Sequence, residues 1–451
     1  MAVAWLGRLH VFSRVLIVWQ VDLTRPVPGI VFCTRSKRLM NKAFDVIIIG
    51  GGASGCSTAM QLSLRGRSVL VLDKAQFGSG STGQAAGLGG QLRSNPSETR
   101  LLMEGIKVVR EMERKLNQKI FTKTGSLHVA ATEDRAVELR DFVESGKAIG
   151  FEIELVDREF AKSRLPCMQT DDLIEFCYCA TDGHFAPSEL LSGYMRIARD
   201  AGATLLSDTL VEDIMIEGGR VKGIQTADET FFAPVVVNAA GPWSYLVAEL
   251  TQTPMAAATL GHYYLVTEPI SDVQIASTDA AIRDRANRIY SRPEMGGLLV
   301  GSYEQEPVEY SMEALPEDFQ MSEIRIQRDN LNVALLIEAA SQRFPFINER
   351  TPMSVTTGIM TFTPDGHALC GQVHDVEGLY HCTGFNGRGV FQSTSVGLLM
   401  ANLICQERTG YQMGHLDADR FSDEPWLGDR ESIRTRCRNR YANHYLIASK
   451  G

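Results

Sequence analysis

Gly50, Gly52 and Gly55 stand at G-x-G-x-x-G spacing directly after the apolar run Val46-Ile47-Ile48-Ile49. Four consecutive β-branched residues predict a short strand buried on both faces, as in a parallel sheet. Cys56 to Arg65 follows as a helical run, and Ser68 to Leu72 reads as a second strand closed by Asp73, eighteen residues past Gly55. Each glycine has a physical task. The first lets the chain turn sharply, the second lets backbone N–H groups approach a pyrophosphate, and the third lets helix and strand pack closely. The helix N-terminus through Gly51, Ala53 and Ser54 offers partial positive charge to phosphates. Asp73 is placed to accept hydrogen bonds from ribose hydroxyls. The glycine spacing by itself is weak, and a ligand-free turn would satisfy it. Strand, glycines, helix, strand and acid in one unit of about thirty residues predict a dinucleotide site.

Two further stretches carry groups suited to a ligand. Phe77 to Gly90 holds six glycines among fourteen residues, too many for a stable helix or strand, and contributes Ser81, Thr82 and Gln84 as polar contacts. Gly384-Phe385-Asn386-Gly387-Arg388-Gly389 leads into the helical run Gln392 to Cys405, a helix N-terminus too distant in sequence to serve the first pyrophosphate. A second anion-stabilising point at the far end of a long dinucleotide accounts for it. Between them, Val235 to Asn238 is another buried strand entering a glycine turn at Gly241.

Glycine turns near both ends of the chain require a nucleotide domain assembled from separated segments. Helices are predicted over Pro96–Lys115, Glu133–Ile149 and Pro187–Ala201, and a hairpin over Val211–Thr226 turns at Gly218-Gly219. At 451 residues the chain is long enough for two domains. A net charge of −9 argues against a nucleic-acid surface, which needs clustered Lys and Arg. The nine cysteines and nine histidines show no metal-ligand spacing, so no metal is expected, and reduced buried thiols fit best. Residues 1–39 carry six Lys and Arg against the single acid Asp22. That pattern reads either as an organelle transit peptide, giving a mitochondrial matrix location, or as an upstream-start extension before Met40 of a cytoplasmic protein. Its longest apolar run, Val15 to Trp19, is too short to span a bilayer.

Together these landmarks resemble the D-amino-acid oxidase, glycine oxidase and sarcosine oxidase family of FAD-dependent oxidoreductases. The segments that carry the resemblance are the glycine fingerprint with Asp73, Asp182-Gly183 through Pro187, Val236 through Gly241, Thr363-Pro364-Asp365-Gly366 and Thr383-Gly384-Phe385. Ser81-Thr82, Ala85-Ala86-Gly87-Leu88, Ile282-Arg283-Asp284, Tyr290 and Gly301-Ser302-Tyr303-Glu304 place it nearest the oxidase half of dimethylglycine and sarcosine dehydrogenases. The resemblance implies an α/β fold: a three-layer, discontinuous Rossmann-like FAD domain over 44–95, 180–245 and 355–421. A mixed-sheet substrate domain over 96–179 and 246–354 is inserted, and 422–451 is a C-terminal tail. It also implies FAD contacts at Lys74, Ala86, Leu88, Val211, Gly241, Asp365, Gly384, Asn386, Gly387, Arg388 and Gly389, beside the fingerprint, Ser81, Thr82 and Gln84.

Relatives attach the flavin covalently through a histidine at the place of Gln84 or a cysteine at the place of Gly358, so non-covalent FAD is expected. The implied reaction is oxidation of a C–N bond in a small N-methyl amino acid by hydride transfer. His262 and Tyr290 match active-site positions, although a lone histidine beside aromatic residues is more often satisfied core. Arg292 and Arg388 are candidates for the substrate carboxylate. The electron acceptor is oxygen or an electron-transfer protein. A flavin subunit of a heteromeric dehydrogenase and a non-catalytic FAD-dependent assembly factor stay open as alternatives.

Overall fold

The computed structural model describes residues 42–314, 331–348 and 350–444. The expectations for residues 1–39 and for the chain beyond His444 lie outside them. Strand Val46–Ile49 is fully buried and runs parallel to two neighbours, Val46 standing opposite both Val69 and Val235. A strand flanked by parallel partners and covered on both faces has no solvent side, so its sequence is unbroken apolar rather than alternating. The six-stranded sheet runs Leu369–Gln372, Leu379–Thr383, Val235–Asn238, Val46–Ile49, Val69–Leu72, Thr204–Leu206. All pairs are parallel except the first. Its strands come from three stretches far apart in the chain.

Helix Ala53–Leu64 lies over this sheet and is buried along ten of its twelve residues. It carries no charged residue, and Cys56, Ala59, Met60 and Leu62 lie inside, because it is packed between the sheet and the helices Pro187–Asp200 and Gly389–Ile404. Small residues set the approach: a Cβ on Gly397 of helix Gly389–Ile404 would lie 2.2 Å from the Ser57 hydroxyl. Helix Pro96–Leu116, counted above with the inserted segment, buries Leu101, Leu102, Val109 and Met112 in this same core. Asn95 caps it, its side-chain oxygen accepting from the Ser97 and Glu98 N–H groups.

A second, nine-stranded mixed sheet is built from the inserted segments. Strand Ala281–Asp284 runs parallel to Ser126–Ala130, and every other pair is antiparallel. Strand Met353–Phe362, read above with the nucleotide segments, pairs along the whole of Ala258–Thr267 and sets His262 opposite Gly358. Tyr290 faces Gly301 across the next pair, where a Cβ would lie 2.3 Å from the phenol. The glycine makes room for that ring. A small sheet of Leu88–Gly89, Gly183–Phe185 and Phe121–Thr122 holds the end of the glycine-rich loop, with Phe185 N–H donating to Gly87 at 2.7 Å.

One buried ion pair ties this sheet to helix Leu331–Arg343. The Arg343 guanidinium, fully buried, donates to Asp284 at 2.8 Å and to both Asp172 oxygens at 2.8 Å. Asp284 itself is 0% exposed. Removing one partner of such a pair leaves a buried charge uncompensated, which costs more than the pair contributes. Arg343→Met is therefore expected to destabilise the protein by about 3–5 kcal/mol. Equilibrium urea unfolding measures it, and a loss below about 1 kcal/mol would show that Asp284 finds another partner.

Candidate functional site

The glycine turn shows why these positions exclude a side chain. Gly50 has φ +114°, and a Cβ there would meet the Ala239 carbonyl at 2.4 Å; at Gly55 it would meet the Gly50 carbonyl at 2.0 Å. Gly52 is the N-cap of helix Ala53–Leu64 and has no side-chain cap, so that helix end presents backbone N–H groups to the cavity. Asp73 receives the Gly51 N–H at 2.7 Å and the Ala75 N–H at 2.9 Å. Burial nonetheless raises its pKa above the ordinary carboxylate value, against the pull of those two N–H groups. Beside it Lys74 lies over the Trp243 ring at 4.3 Å, its ammonium pKa lowered by burial.

From this turn opens a cavity of about 1650 Å³. A pocket for one drug-sized ligand occupies roughly 300–1,000 Å³, so a dinucleotide and a second molecule have room together. Of the expected contacts, Gly50, Gly52, Ala53, Ser54, Asp73, Lys74, Ser81, Thr82, Gln84, Ala86, Leu88, Val211 and Gly241 line it. So do Asn386, Gly387, Arg388, Gly389, His262 and Tyr290. Gly51, Gly55, Gly384 and Asp365 do not: the first three shape the turns, and Asp365 is gripped by Arg420 at 2.8 and 2.9 Å. Thr82 accepts from the Ala53 N–H at 3.0 Å, which pins the glycine-rich loop to the helix start. Helix Gly389–Ile404 likewise begins without a side-chain cap or an acid in its first turn.

These features fit FAD. Two helices whose N-cap residues make no side-chain cap begin at one cavity, glycines line it, and the Gln84 side-chain oxygen is buried with no hydrogen-bond partner. A Cβ on Gly358 would sit 3.7 Å from Gln84, so the two positions that the resemblance marks for covalent attachment meet at one place. Neither supplies a nucleophile.

His262 and Tyr290 are brought together. His262 Nε2 lies 2.6 Å from the Tyr290 hydroxyl, and Nδ1 lies 2.9 Å from the hydroxyl of Tyr441. Tyr441 donates in turn to Glu304, whose other oxygen accepts from the Tyr263 N–H at 3.1 Å. A carboxylate can only accept, so Tyr441 spends its proton on Glu304 and accepts from His262 Nδ1–H. Nε2 is left as the lone-pair nitrogen facing Tyr290, which fixes the tautomer. Burial, then Glu304, holds the Tyr441 phenol well above its usual pKa, so it stays a donor. Tyr441 belongs to helix Arg430–Ala442, within the stretch read from sequence only as a tail. No sequence signal marked it; Glu304 stood in a recognised segment without a role.

Arg292 points elsewhere. It donates to the Ala86 carbonyl at 2.6 Å and to Pro293 at 2.9 Å, bracing the glycine-rich loop. Arg388 lines the cavity, joined by Arg93, Arg283 and Arg440, which sequence reasoning did not single out.

Among the described residues two groups could offer ligand atoms to a metal, Glu98–His367–His415 and His128–Cys179–Asp182. Hydrogen bonds account for the first otherwise. The Asn95 oxygen is used as a helix cap, so its amide nitrogen faces His415 Nδ1, and His415 Nε2–H points to Glu98 at 3.4 Å. In the second, Asp182 accepts from Ser126 at 2.7 Å and Gln91 N–H at 3.0 Å, and Cys179 is held protonated, chiefly through Cys177 and burial.

Buried imidazoles make the fold acid-sensitive. Burial lowers His128 and His444 well below 6.5 and brings His184 and His381 to about 4. Below pH 6.5 the unfolded chain binds protons that the native state refuses, so stability present above that pH is lost as pH falls toward 4. For His381, taking the protein from pH 7 to 4 costs roughly 3 kcal/mol. Urea unfolding of His381→Gln against wild type should show a shallower decline over that range; parallel slopes would contradict it.

Known proteins resemble this chain in sequence and in fold. Residues 45–403 match the model of the family described as FAD dependent oxidoreductase. Sarcosine dehydrogenase, mitochondrial, of Homo sapiens is 29% identical over 416 residues, covering 89% of this chain and 44% of that protein. Pyruvate dehydrogenase phosphatase regulatory subunit, mitochondrial, of Mus musculus is 25% identical over 400 residues, covering 88% and 44%. The chain thus spans less than half the length of these curated relatives. The crystal structure of L-proline dehydrogenase from P. horikoshii superposes with a TM-score of 0.75 at 22% identity, over 85% of this chain and 99% of that one. That likeness supports the α/β fold with mixed sheets.

Proposed function

Because the chain belongs to the FAD dependent oxidoreductase family, we propose that it oxidises the C–N bond of a small secondary or tertiary amino acid of the sarcosine or dimethylglycine type. The observation that carries this reading is a single cavity joining the glycine turn at Gly50 to the hydrogen-bonded pair His262–Tyr290. The likeness to sarcosine dehydrogenase over 89% of the chain supports it. FAD, when bound, supplies the acceptor for the hydride that leaves the carbon beside the amine nitrogen.

The protein's own task is protonic. An ammonium has no lone pair to drive C–H cleavage, so the amine must first lose a proton. Tyr290 donates its hydroxyl proton to His262 Nε2 and keeps an oxygen lone pair for an amine N–H. Proton transfer through Tyr290 leaves an imidazolium whose Nδ1–H is already directed at Tyr441 and Glu304. The oxidised substrate is an iminium, which water hydrolyses to an amine and an aldehyde or 2-oxo acid. Gln84, a carboxamide, and Gly358, with no side chain, support non-covalent FAD at the position where relatives bond it. Oxygen or an electron-transfer protein serves as the final acceptor.

Two measurements test this. Acid precipitation of the purified holoprotein should release all of the FAD into the supernatant; yellow pellets would refute non-covalent binding. His262→Asn and Tyr290→Phe should slow anaerobic flavin reduction by sarcosine or dimethylglycine about 10²–10⁴-fold at neutral pH. That loss should shrink as pH rises toward the amine pKa, because solvent then removes the proton. A pH-independent loss would assign the pair a packing role. A second reading, a flavin-binding regulatory or assembly role, is favoured by the likeness to the phosphatase regulatory subunit. It predicts that no amine bleaches the flavin.

A further inference from the structure

The cavity runs on past the His262–Tyr290 pair. Tyr290 stands opposite Arg283, and Arg283 opposite His128, in adjoining strands of the nine-stranded sheet. Directly paired residues put their side chains on one face of a sheet, and all three line the cavity. Neighbouring strands lie about 4.8 Å apart, so this floor extends roughly 10 Å beyond the strand of Tyr290. Sarcosine is about four bonds long, about 5 Å at the reach of an extended chain. Helix Glu133–Ala148 packs on strand Ser126–Ala130 and closes the far end, turning Arg135, Glu138, Leu139 and Phe142 to the cavity. The spacing i, i+3, i+4, i+7 makes these one face of the helix. Leu139 is buried and Phe142 half-buried, while Asp141 and Ser145 line the cavity and are exposed, so the extension opens to solvent past Phe142.

This far end is apolar in its inner lining and balanced in its charge. Leu92 and Leu139 belong to one buried cluster, Phe142 packs against it, and the Phe142 ring lies 5.1 Å from His128. Burial, with the charges of Arg283, Arg285 and Arg93, holds His128 well below its ordinary pKa, so the imidazole is neutral. Arg135, Arg283 and Arg285 stand against Glu138, Asp141 and Asp182, three charges of each sign along the cavity lining. Glu138 takes Arg135 at 2.7 Å and also Arg285, and Asp182 takes Ser126 and Gln91. Arg283 and Asp141 likewise have partners, and Arg93 has Glu98 at 3.6 Å. A charged tail entering here would have to break an existing pair, whereas an uncharged one gains by leaving water. A guanidinium that is already paired still offers a flat face on which an aromatic ring can stack.

We propose that this extension is a subsite for an uncharged, apolar tail. The preferred substrate is then an N-alkyl amino acid carrying an aromatic or branched aliphatic group, as its side chain or on its nitrogen, rather than sarcosine itself. This rests on the reading of the His262–Tyr290 face as the amine site. With the amine against Tyr290, the tail passes over Arg283 and reaches Phe142 and His128, where its surface leaves water.

The test uses the holoprotein and two readouts. Acetate, 3-phenylpropanoate and glutarate, which the flavin cannot oxidise as amines, are titrated while its absorbance envelope is followed. Sarcosine, N-methyl-L-phenylalanine, N-benzylglycine and N-methyl-L-glutamate are then titrated anaerobically for bleaching. At least one phenyl amine is expected to bleach the flavin at a concentration about tenfold or more below that for sarcosine. By a similar factor 3-phenylpropanoate should bind more tightly than acetate, and neither preference should fall on raising salt. Whichever phenyl amine leads tells whether the tail sits on the α-carbon or on the nitrogen. The phenyl preference should drop below about threefold in Phe142→Asp, which brings a charge to the end of the extension. If that variant fails to fold, Leu139→Ala carries the same comparison. Bleaching by sarcosine with no preference for either phenyl amine, or with glutamate preferred over both, would overturn the subsite while leaving amine oxidation standing. A phenyl preference undiminished in the folded variants would overturn it as well, because the tail would then lie elsewhere. Tight binding of 3-phenylpropanoate with no bleaching by any amine would uphold the subsite and refute amine oxidation.

Discussion

The close approach of helix Ala53–Leu64 to the strand before it is the constraint on which the rest depends. A Cβ on Gly55 would fall 2.0 Å from the Gly50 carbonyl, so the helix can begin at this depth only because both positions are glycine. That start aims uncapped N–H groups into the cavity. The same helix must then be covered elsewhere, by helix Gly389–Ile404 at the Ser57–Gly397 contact and by Pro187–Asp200, while Pro96–Leu116 packs on Gly389–Ile404 in turn. Because those helices come from distant parts of the chain, one local approach distance organises the whole nucleotide layer.

The second sheet does different work. Its long antiparallel pair Ala258–Thr267 and Met353–Phe362 carries His262 to the cavity and sets Gly358 opposite it. The tautomer of that histidine is decided by a hydrogen-bond chain drawn from two strands, a helix and a loop: Tyr290, His262, Tyr441 and Glu304. A network of this kind is valuable only when every member is satisfied, since low dielectric strengthens made and unmade bonds alike. The C-terminal helix is therefore part of the site: its Tyr441 orients the imidazole, and its Arg440 lines the cavity.

Much of the nucleotide layer was legible in the residues alone. Val46–Ile49, Val69–Leu72 and Val235–Asn238 announce buried strands by composition, and Gly50, Gly52, Gly55 and Asp73 announce what lies between them. These are local signals, set by φ, side-chain size and short-range spacing. The extent of the inserted domain was less legible. The face of helix Pro96–Leu116 is plain in sequence, but which core receives that face is not.

The sequence by itself determined the dinucleotide fingerprint, the parallel strands and the family resemblance, because backbone sterics act over a few residues. It also carried His262 and Tyr290 as candidates, by resemblance. Only the tertiary structure decided that Asp365 is spent on Arg420, that Arg292 braces the Ala86 loop, and that Tyr441 and Glu304 hold His262. It alone gathered Arg93, Arg283, Arg388 and Arg440 from separate stretches into the lining of one cavity. An arginine in a sequence has no address: charge is a long-range property, and its meaning depends on which partners folding brings within a few ångströms.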